Sequence, residues 1–240
     1  MSQSKLSQEI IQCLEYLADP VKAQFLQGYF KTGKGEYGEG DVFLGIKVPE
    51  QRKIADQFWK ETTLNHLTEL IRSEYHEVRL TAVFILVKQY GKSKTEVEKE
   101  QIVNFYLDQR AYINNWDLVD SSAHKILGPW LEKKDRKLLY QLADSNTIWD
   151  QRIAVITTFY FIAQNDFKDA LKLAKILLQH PHDIIQKAVG WMLREIGNRD
   201  YQIEYQFLEQ HYKSMPRVML RYAIEKFDPE TRQLFIKGKI

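Results

Sequence analysis

The sequence predicts an all-α fold in which helix pairs stack side by side as a helical-repeat solenoid. Apolar residues recur at three- and four-residue spacing along nearly the whole chain, and no convincing strand-like alternation appears. Similar helix openings also recur at intervals of 34 to 37 residues, and their equivalent positions are Arg79, Trp116, Arg152, Lys187 and Arg221. A repeat of that length is typical of solenoids, in which each helix pair buries its apolar side against its neighbours.

The first half of the chain contains six predicted helices and one irregular segment. The helices are predicted at residues 6–19, 21–30, 49–61, 64–72, 74–90 and 95–108. Pro20 ends the first helix, and Pro49 suits the first turn of the third. Five of the eleven glycines lie between Gly33 and Gly45. Each glycine costs a helix about 1 kcal/mol relative to alanine, so residues 31–48 are predicted to form an irregular insertion, a longer loop or a hairpin.

The second half is predicted to be helical with short polar breaks such as SNT, QND and GNRD. The predicted helices span residues 116–131, 136–143, 148–164, 167–179, 183–196, 201–212, 216–227 and 230–236. We therefore expect residues 1–240 to form a single α-solenoid domain of about six helix pairs, interrupted only by the insertion at 31–48.

The composition indicates the cellular compartment of the protein but does not identify a binding partner. Hydrophobic residues make up 44% of the 240 and charged residues 28%, an ordinary globular profile. The net charge of +2 is too small to identify a partner. Cys13 is the only cysteine and the N-terminal stretch has no apolar core, so we expect a cytoplasmic protein without disulfides, signal peptide or membrane span. One groove needs no second copy, so we expect a monomer.

Equivalent residues of a solenoid line up, so the recurring positions predict a row along a concave, basic groove. Lysine and arginine near helix N-termini attract phosphates, because backbone N–H groups add to their charge. Further members of this surface are Arg194, Trp149, Trp191 and Tyr222. Basic and aromatic groups on one face suit a nucleic-acid backbone, but the same side chains also serve packing. The spacing alone leaves nucleic-acid binding and a protein-binding scaffold equally open.

The stretch NNWDLVD places Trp116 and Asp120 on one helical face. One of the two asparagines can cap the helix, and Asp117 suits its first turn. In a core, Asp120 would need a partner, and a salt bridge with Arg152 is the structural alternative. Beside a cationic row it would repel phosphates, a cost that suggests stabilisation of a developing positive charge.

Four segments carry a resemblance to a known family: FLGIKVPEQRKIA, NNWDLVD, IWDQRIAVI and IIQKAVGWMLREIG, in that order. Together they resemble the AlkD-type DNA alkylation repair proteins, which are built of HEAT-like repeats. The resemblance runs from about Gln24 to Phe227 and implies glycosylase activity on cationic alkylpurines, such as 7-methylguanine and 3-methyladenine, in double-stranded DNA. It also implies that the damaged base stays in the duplex, unlike in base-flipping glycosylases.

The resemblance assigns roles to individual residues. Asp120 resembles the catalytic carboxylate, Trp116 and Trp191 resemble the indoles that frame the lesion-bearing sugar, and Arg152 resembles the phosphate-holding arginine. Lys187, Arg194 and Arg221 are predicted phosphate contacts from their spacing, with Trp149 and Tyr222 as further candidates. An alkylated purine is already cationic and leaves neutral, so no general acid, metal or cofactor is expected.

The Gly-rich insertion departs from the family pattern, in which an early helix enters the DNA minor groove. Lys34 and Tyr37, with Lys31, could probe DNA in its place, or excision could be weak. The alternatives to a glycosylase are therefore a non-catalytic binder of damaged, bent or branched DNA and a HEAT-type protein scaffold. The HPHD turn has two histidines without a third ligand, so no metal site is predicted.

Overall fold

The computed structural model describes residues 4–240, and these residues are almost entirely helical. No strand occurs among them, and one isolated parallel bridge joins Val42 to Tyr75. The all-α fold class is therefore confirmed. The α-helices are α1 (Lys5–Glu15), α2 (Pro20–Tyr29), α3 (Val48–Phe58), α4 (Leu64–Ile71), α5 (His76–Lys92), α6 (Glu96–Asp108), α7 (Trp116–Leu131), α8 (Lys137–Ala143), α9 (Ile148–Ile162), α10 (Lys168–Ile176), α11 (Asp183–Gly197), α12 (Tyr201–His211), α13 (Arg217–Ala223) and α14 (Pro229–Lys237).

Local sequence signals explain where these helices begin. The Asp19 side chain accepts the backbone N–H groups of Val21 and Lys22, so it caps α2 just before Pro20. Thr95 and Glu98 form a capping box at the start of α6. Every predicted helical run contains an observed α-helix, with ends that differ by a few residues. The ends differ most, by four residues, at Glu15 of α1 and at Ala223 of α13, after which a 3-10 turn, Ile224–Lys226, follows.

The chain divides into two compact units, and the boundary lies between Ser122 and Ala123, inside α7. In the first unit, α5 packs against α3 and α4, and α1 contacts the same two helices. In the second unit, α11 packs against both α9 and α13, and α8 and α10 flank α9. Equivalent second helices of successive pairs are thus neighbours in the second unit, as the repeat predicts. The single-domain organisation over 1–240 stays a prediction.

The second unit buries one carboxyl group that the sequence did not single out. Glu204 of α12 is 2% exposed, and its Oε1 has no hydrogen-bond partner among residues 4–240. Burial raises the pKa of Glu204 to about 9, with Arg194 opposing the shift and Glu195 adding to it. The folded protein therefore holds a proton on this group well above the pH at which the unfolded chain releases it.

We expect Glu204→Gln to stabilise the protein on the order of 3 kcal/mol at pH 7. In the wild type, the contribution of protonated Glu204 to the free energy of unfolding is fully present below the unfolded-state pKa, near 4.5, and is lost as pH rises towards 9. Glutamine has nearly the same shape but does not ionise, so the variant does not lose this stability. The free energy of unfolding, measured with urea at pH 5, 7 and 9, tests this prediction. Glu209→Gln, at an exposed position of the same helix, is the control. Parallel stability curves for wild type and Glu204→Gln would contradict the assignment.

Candidate nucleic-acid interface

The first unit places Trp116 and Asp120 at a well-defined helix start. Asn115 is the cap of α7: its Oδ1 accepts the Trp116 N–H at 2.8 Å, and its carbonyl accepts the Val119 N–H at 3.2 Å. Trp116 is the first helical residue and Asp120 lies one turn later, and both side chains are half-buried. The position that the sequence predicted for this pair, on one face at the helix N-terminus, follows from that cap.

Trp116 belongs to an aromatic cluster rather than standing alone. Its ring stacks on Phe30, with centroids 5.1 Å apart and an interplanar angle of 7°, and meets Tyr29 edge-on at 6.2 Å. Phe30 in turn lies 4.8 Å from Phe43, which stacks on His76 at 4.5 Å. Phe30 therefore supports the indole of Trp116 over one of its faces, which holds the ring in a defined orientation.

A buried polar network lies behind this cluster. Asp41, from the Gly-rich segment, accepts hydrogen bonds from Arg79 Nη2 at 2.6 Å, His76 Nδ1 at 3.0 Å and Asn115 Nδ2 at 2.9 Å. The other ring nitrogen of His76, Nε2, lies 2.8 Å from Asp117 Oδ2. The network joins the Gly-rich segment, the start of α5 and the first turn of α7, and all of it lies within the first unit.

The network carries two cations and two carboxylates. Burial by itself would lower the pKa of His76, but the Asp117 and Asp41 carboxylates outweigh it and raise that pKa to about 9. Burial opposes ionisation of Asp41, yet His76, Arg79 and Asn115 hold its pKa below the usual range. His76 is therefore an imidazolium at neutral pH, and both of its N–H groups donate to carboxylates.

The Gly-rich segment is irregular, as predicted, but the hairpin alternative is wrong. Residues 31–41 form turns, and the following backbone is held by Glu77 of α5. The Glu77 carboxylate accepts the N–H groups of Leu44, Gly45 and Ile46 at 2.9, 2.8 and 3.2 Å. These bonds satisfy donors that a strand partner would otherwise take.

The predicted probing residues lie on the outer part of this segment. Lys34 is exposed, Tyr37 is half-buried, and the ammonium of Lys31 lies 5.9 Å from the Tyr37 ring centroid. Inner residues of the segment are anchored while these remain accessible, and the exposed Glu36 and Glu39 lie in the same stretch, so its accessible surface carries charges of both signs.

The second unit holds the remaining predicted cations in different environments. Arg152 is 5% exposed, and its Nη1 donates to the Ile184 carbonyl at 2.6 Å, so this guanidinium is drawn into the packing of α9 against α11. Lys187 pairs with Asp183 at 2.7 Å, and Arg194 pairs with Glu225. Arg221 is exposed. A phosphate would have to compete with a carboxylate at the two paired positions.

The aromatic residues of the second unit include a second cluster. Phe159 lies between His124, edge-on at 5.3 Å, and Trp191, at 5.8 Å. Trp191 is half-buried, and its Nε1 donates to Glu195 Oε1 at 2.9 Å. Trp149 is half-buried and Tyr222 is 38% exposed. Trp191 and Tyr222 thus keep accessible surface on helices α11 and α13.

The prediction that Arg79 belongs to the cationic row is wrong. Arg79 is 5% exposed, donates to the Ser73 and Glu74 carbonyls and pairs with Asp41, so it is not a phosphate contact. The sequence interpretation also missed Asp41 and His76. The signal was weak, because an aspartate in a glycine-rich loop and a histidine at a helix start are common on surfaces. No metal-binding cluster of His, Cys, Asp or Glu occurs among residues 4–240.

These features define an all-α protein with a capped Trp-Asp helix start in one unit and accessible cations and indoles in the other. A family model described as DNA alkylation repair enzyme matches residues 10–227, so the chain belongs to that family. No curated protein matches the chain in sequence. No helix in the described part of the chain has the length and hydrophobicity that a membrane span requires.

A solved structure supports the fold independently. The chain is similar to a protein described as a predicted DNA alkylation repair enzyme from Enterococcus faecalis, with a TM-score of 0.68 and 20% identity. The match covers 88% of this chain and 97% of the other. At that identity the likeness establishes the helical architecture, and residue roles have to be argued from the chain itself.

Proposed function

We propose that the protein is a DNA glycosylase that hydrolyses the N-glycosidic bond of cationic alkylpurines in duplex DNA. The observation that carries the proposal is Asp120, a half-buried carboxylate one turn after Trp116 at the capped start of α7. It occurs in a chain of the DNA alkylation repair family. A carboxylate at such a position suits a reaction that builds positive charge on its substrate.

The proposed chemistry needs one carboxylate. As the bond between C1′ and the purine breaks, positive charge develops on the sugar, and Asp120 stabilises it. Water then adds to C1′ and gives its proton to the carboxylate or to solvent. The alkylated base leaves as a neutral purine because its positive charge is cancelled by the bonding electron pair. No group has to protonate it, so no metal or cofactor is required.

The other residues bind and orient the DNA in this proposal. Trp116 and Trp191 are the proposed aromatic contacts to DNA, and cation–π attraction to a cationic nucleoside adds about 0.5 to 2 kcal/mol for an indole. The proposed phosphate contacts are Lys187, Arg194 and Arg221, with Trp149, Tyr222, Lys34 and Tyr37 as accessory contacts. Arg152 is 5% exposed, so it would contact a phosphate only by leaving the Ile184 carbonyl. Arg221, which is exposed, and Lys187, whose pair with Asp183 is partly exposed, are the readiest to reach a phosphate.

Incubation with duplex oligonucleotides that carry one 7-methylguanine tests the function, with free base measured against time. We expect time-dependent release, and a duplex with unmodified guanine serves as control. Tight DNA binding without release would instead favour a non-catalytic DNA-binding relative. Affinity for DNA should fall steeply with added salt in both cases, whereas a protein-binding scaffold would show no such DNA binding.

We also propose that the protein acts as a monomer on chromosomal DNA in the cytoplasm.

A further inference from the structure

His76 connects two parts of the first unit that are far apart in sequence. One ring nitrogen contacts Asp41, 35 residues earlier, and the other contacts Asp117, 41 residues later. The ring is 1% exposed, so it meets no bulk water that could substitute for either bond. Two directional bonds from one rigid ring determine both the distance and the angle between the two carboxylates.

The two carboxylates are themselves fixed at their other ends. Asp41 is held by Arg79 and by the cap residue Asn115, which starts α7. Asp117 belongs to the first turn of α7, where its Oδ1 also accepts the N–H of Leu118 at 2.8 Å. The start of α7 is therefore held at two points: its cap Asn115 donates to Asp41, and Asp117 contacts His76.

The same histidine also supports the indole of Trp116. Phe43 stacks on the His76 ring, Phe30 packs on both Phe43 and His76, and Trp116 stacks on Phe30. A shift of the imidazole would disturb this series of rings as well as the helix start. Asp120 follows Asp117 by three residues on the same helix, so its position depends on the same turn.

We propose that His76 is a positioning residue for catalysis: held between Asp41 and Asp117, it sets the orientation of Trp116 and Asp120 at the start of α7. The inference rests on the proposed glycosylase function. His76 itself touches neither substrate nor reacting atoms in this proposal. Its contribution is to preorganise the carboxylate, because small displacements of a reacting group cost large factors in rate.

The charge balance of the network explains why a cation is needed there. Asp41 and Asp117 are both carboxylates, and of these two Arg79 pairs with Asp41. Without the imidazolium, Asp117 would face the buried Asp41 with one cation too few, and its carboxylate would turn towards solvent. The nearby Glu77 is itself a carboxylate, and it already accepts three backbone N–H groups, so it supplies no compensating positive charge.

His76→Ala tests the proposal because the site can be refilled from outside. His76 and Asp117 line a cavity of about 270 Å³, whose rim includes the exposed Phe25 and Val48. We expect the single-turnover rate of base release to fall about tenfold to a hundredfold in the variant. The dissociation constant for unmodified duplex DNA should change by less than about twofold, because no phosphate-contacting charge is removed.

Added imidazole should restore much of the lost rate, whereas pyrazole should not, because pyrazole has the same ring size but stays neutral near pH 7. A rate close to that of wild type, or a loss that imidazole leaves unchanged, would overturn the positioning role. A merely structural contribution would lower stability and DNA affinity together, without selective rescue.

Hydrogen exchange separates this inference from the proposed function. In His76→Ala, amides of residues 116–121 and 41–46 should exchange faster, while those of α3 and α4 keep their wild-type protection. Unchanged protection at 116–121 would sink the inference even if wild type is an active glycosylase. Conversely, if the wild type releases no base but His76→Ala shows this selective exchange, only the proposed function is refuted.

Discussion

Asp120→Asn is expected to slow the release of 7-methylguanine, with a loss in single-turnover rate on the order of a hundredfold to a thousandfold. The amide has nearly the same size and keeps hydrogen-bonding capacity, but it lacks the negative charge that stabilises the developing cation on the sugar. The measurement is free base released from duplex DNA by excess enzyme. Binding to undamaged DNA should be retained or slightly tightened, because a like charge near the phosphates is removed.

Glu132→Gln is the matched control for that experiment. It also exchanges a carboxylate for an amide, at an exposed position just after the end of α7. Its rate should equal that of wild type. If Asp120→Asn and Glu132→Gln release base equally fast, Asp120 is not the catalytic carboxylate, and the interpretation of the Trp-Asp pair as a reaction site fails.

Gly45→Ala is expected to destabilise the protein by about 3 to 5 kcal/mol, the largest stability effect we foresee. Gly45 has φ of +85°, and a Cβ there would lie 2.1 Å from the Asp19 carbonyl oxygen and 2.7 Å from the Ala23 nitrogen. Both are backbone atoms, so no flexible side chain can move aside. The substitution would force α2 away from the segment that Glu77 anchors.

Gly40→Ala separates backbone strain from this close approach. Gly40 has nearly the same φ, +88°, but a Cβ there would meet no atom within 4 Å. We expect a loss of only about 1 to 2 kcal/mol, the cost of the left-handed conformation for an L-residue. Urea unfolding of both variants provides the comparison. Equal losses would show that the contact between Gly45 and the start of α2 contributes nothing.

The helices could be predicted because their signals are local. The start of α2 follows from the Asp-Pro step at Asp19, and that of α6 from the Thr95–Glu98 capping box. For α7, the sequence predicted that one of two asparagines is the cap, and the structure shows that it is Asn115. The family resemblance, carried by motifs such as NNWDLVD, is likewise confirmed by the match over residues 10–227.

Environments of charged side chains were much less predictable. Arg79 and Arg221 occupy equivalent places in the repeat, yet Arg79 is buried against Asp41 while Arg221 is exposed. Spacing along a helix assigns a residue to a face, but it does not reveal what the neighbouring segment brings to that face. Here the neighbour was an aspartate from a glycine-rich loop, whose path the periodicity did not describe.

Sequence by itself determined the helical class, the order and starts of the helices, the family and the candidate pair Trp116 and Asp120, because periodicity, capping and motifs act over a few residues. Only the tertiary structure decided which charges are buried, that His76 bridges Asp41 and Asp117, and that Glu77 anchors the Gly-rich segment. The physical reason is distance along the chain: a buried charge is stable only beside partners that folding brings together.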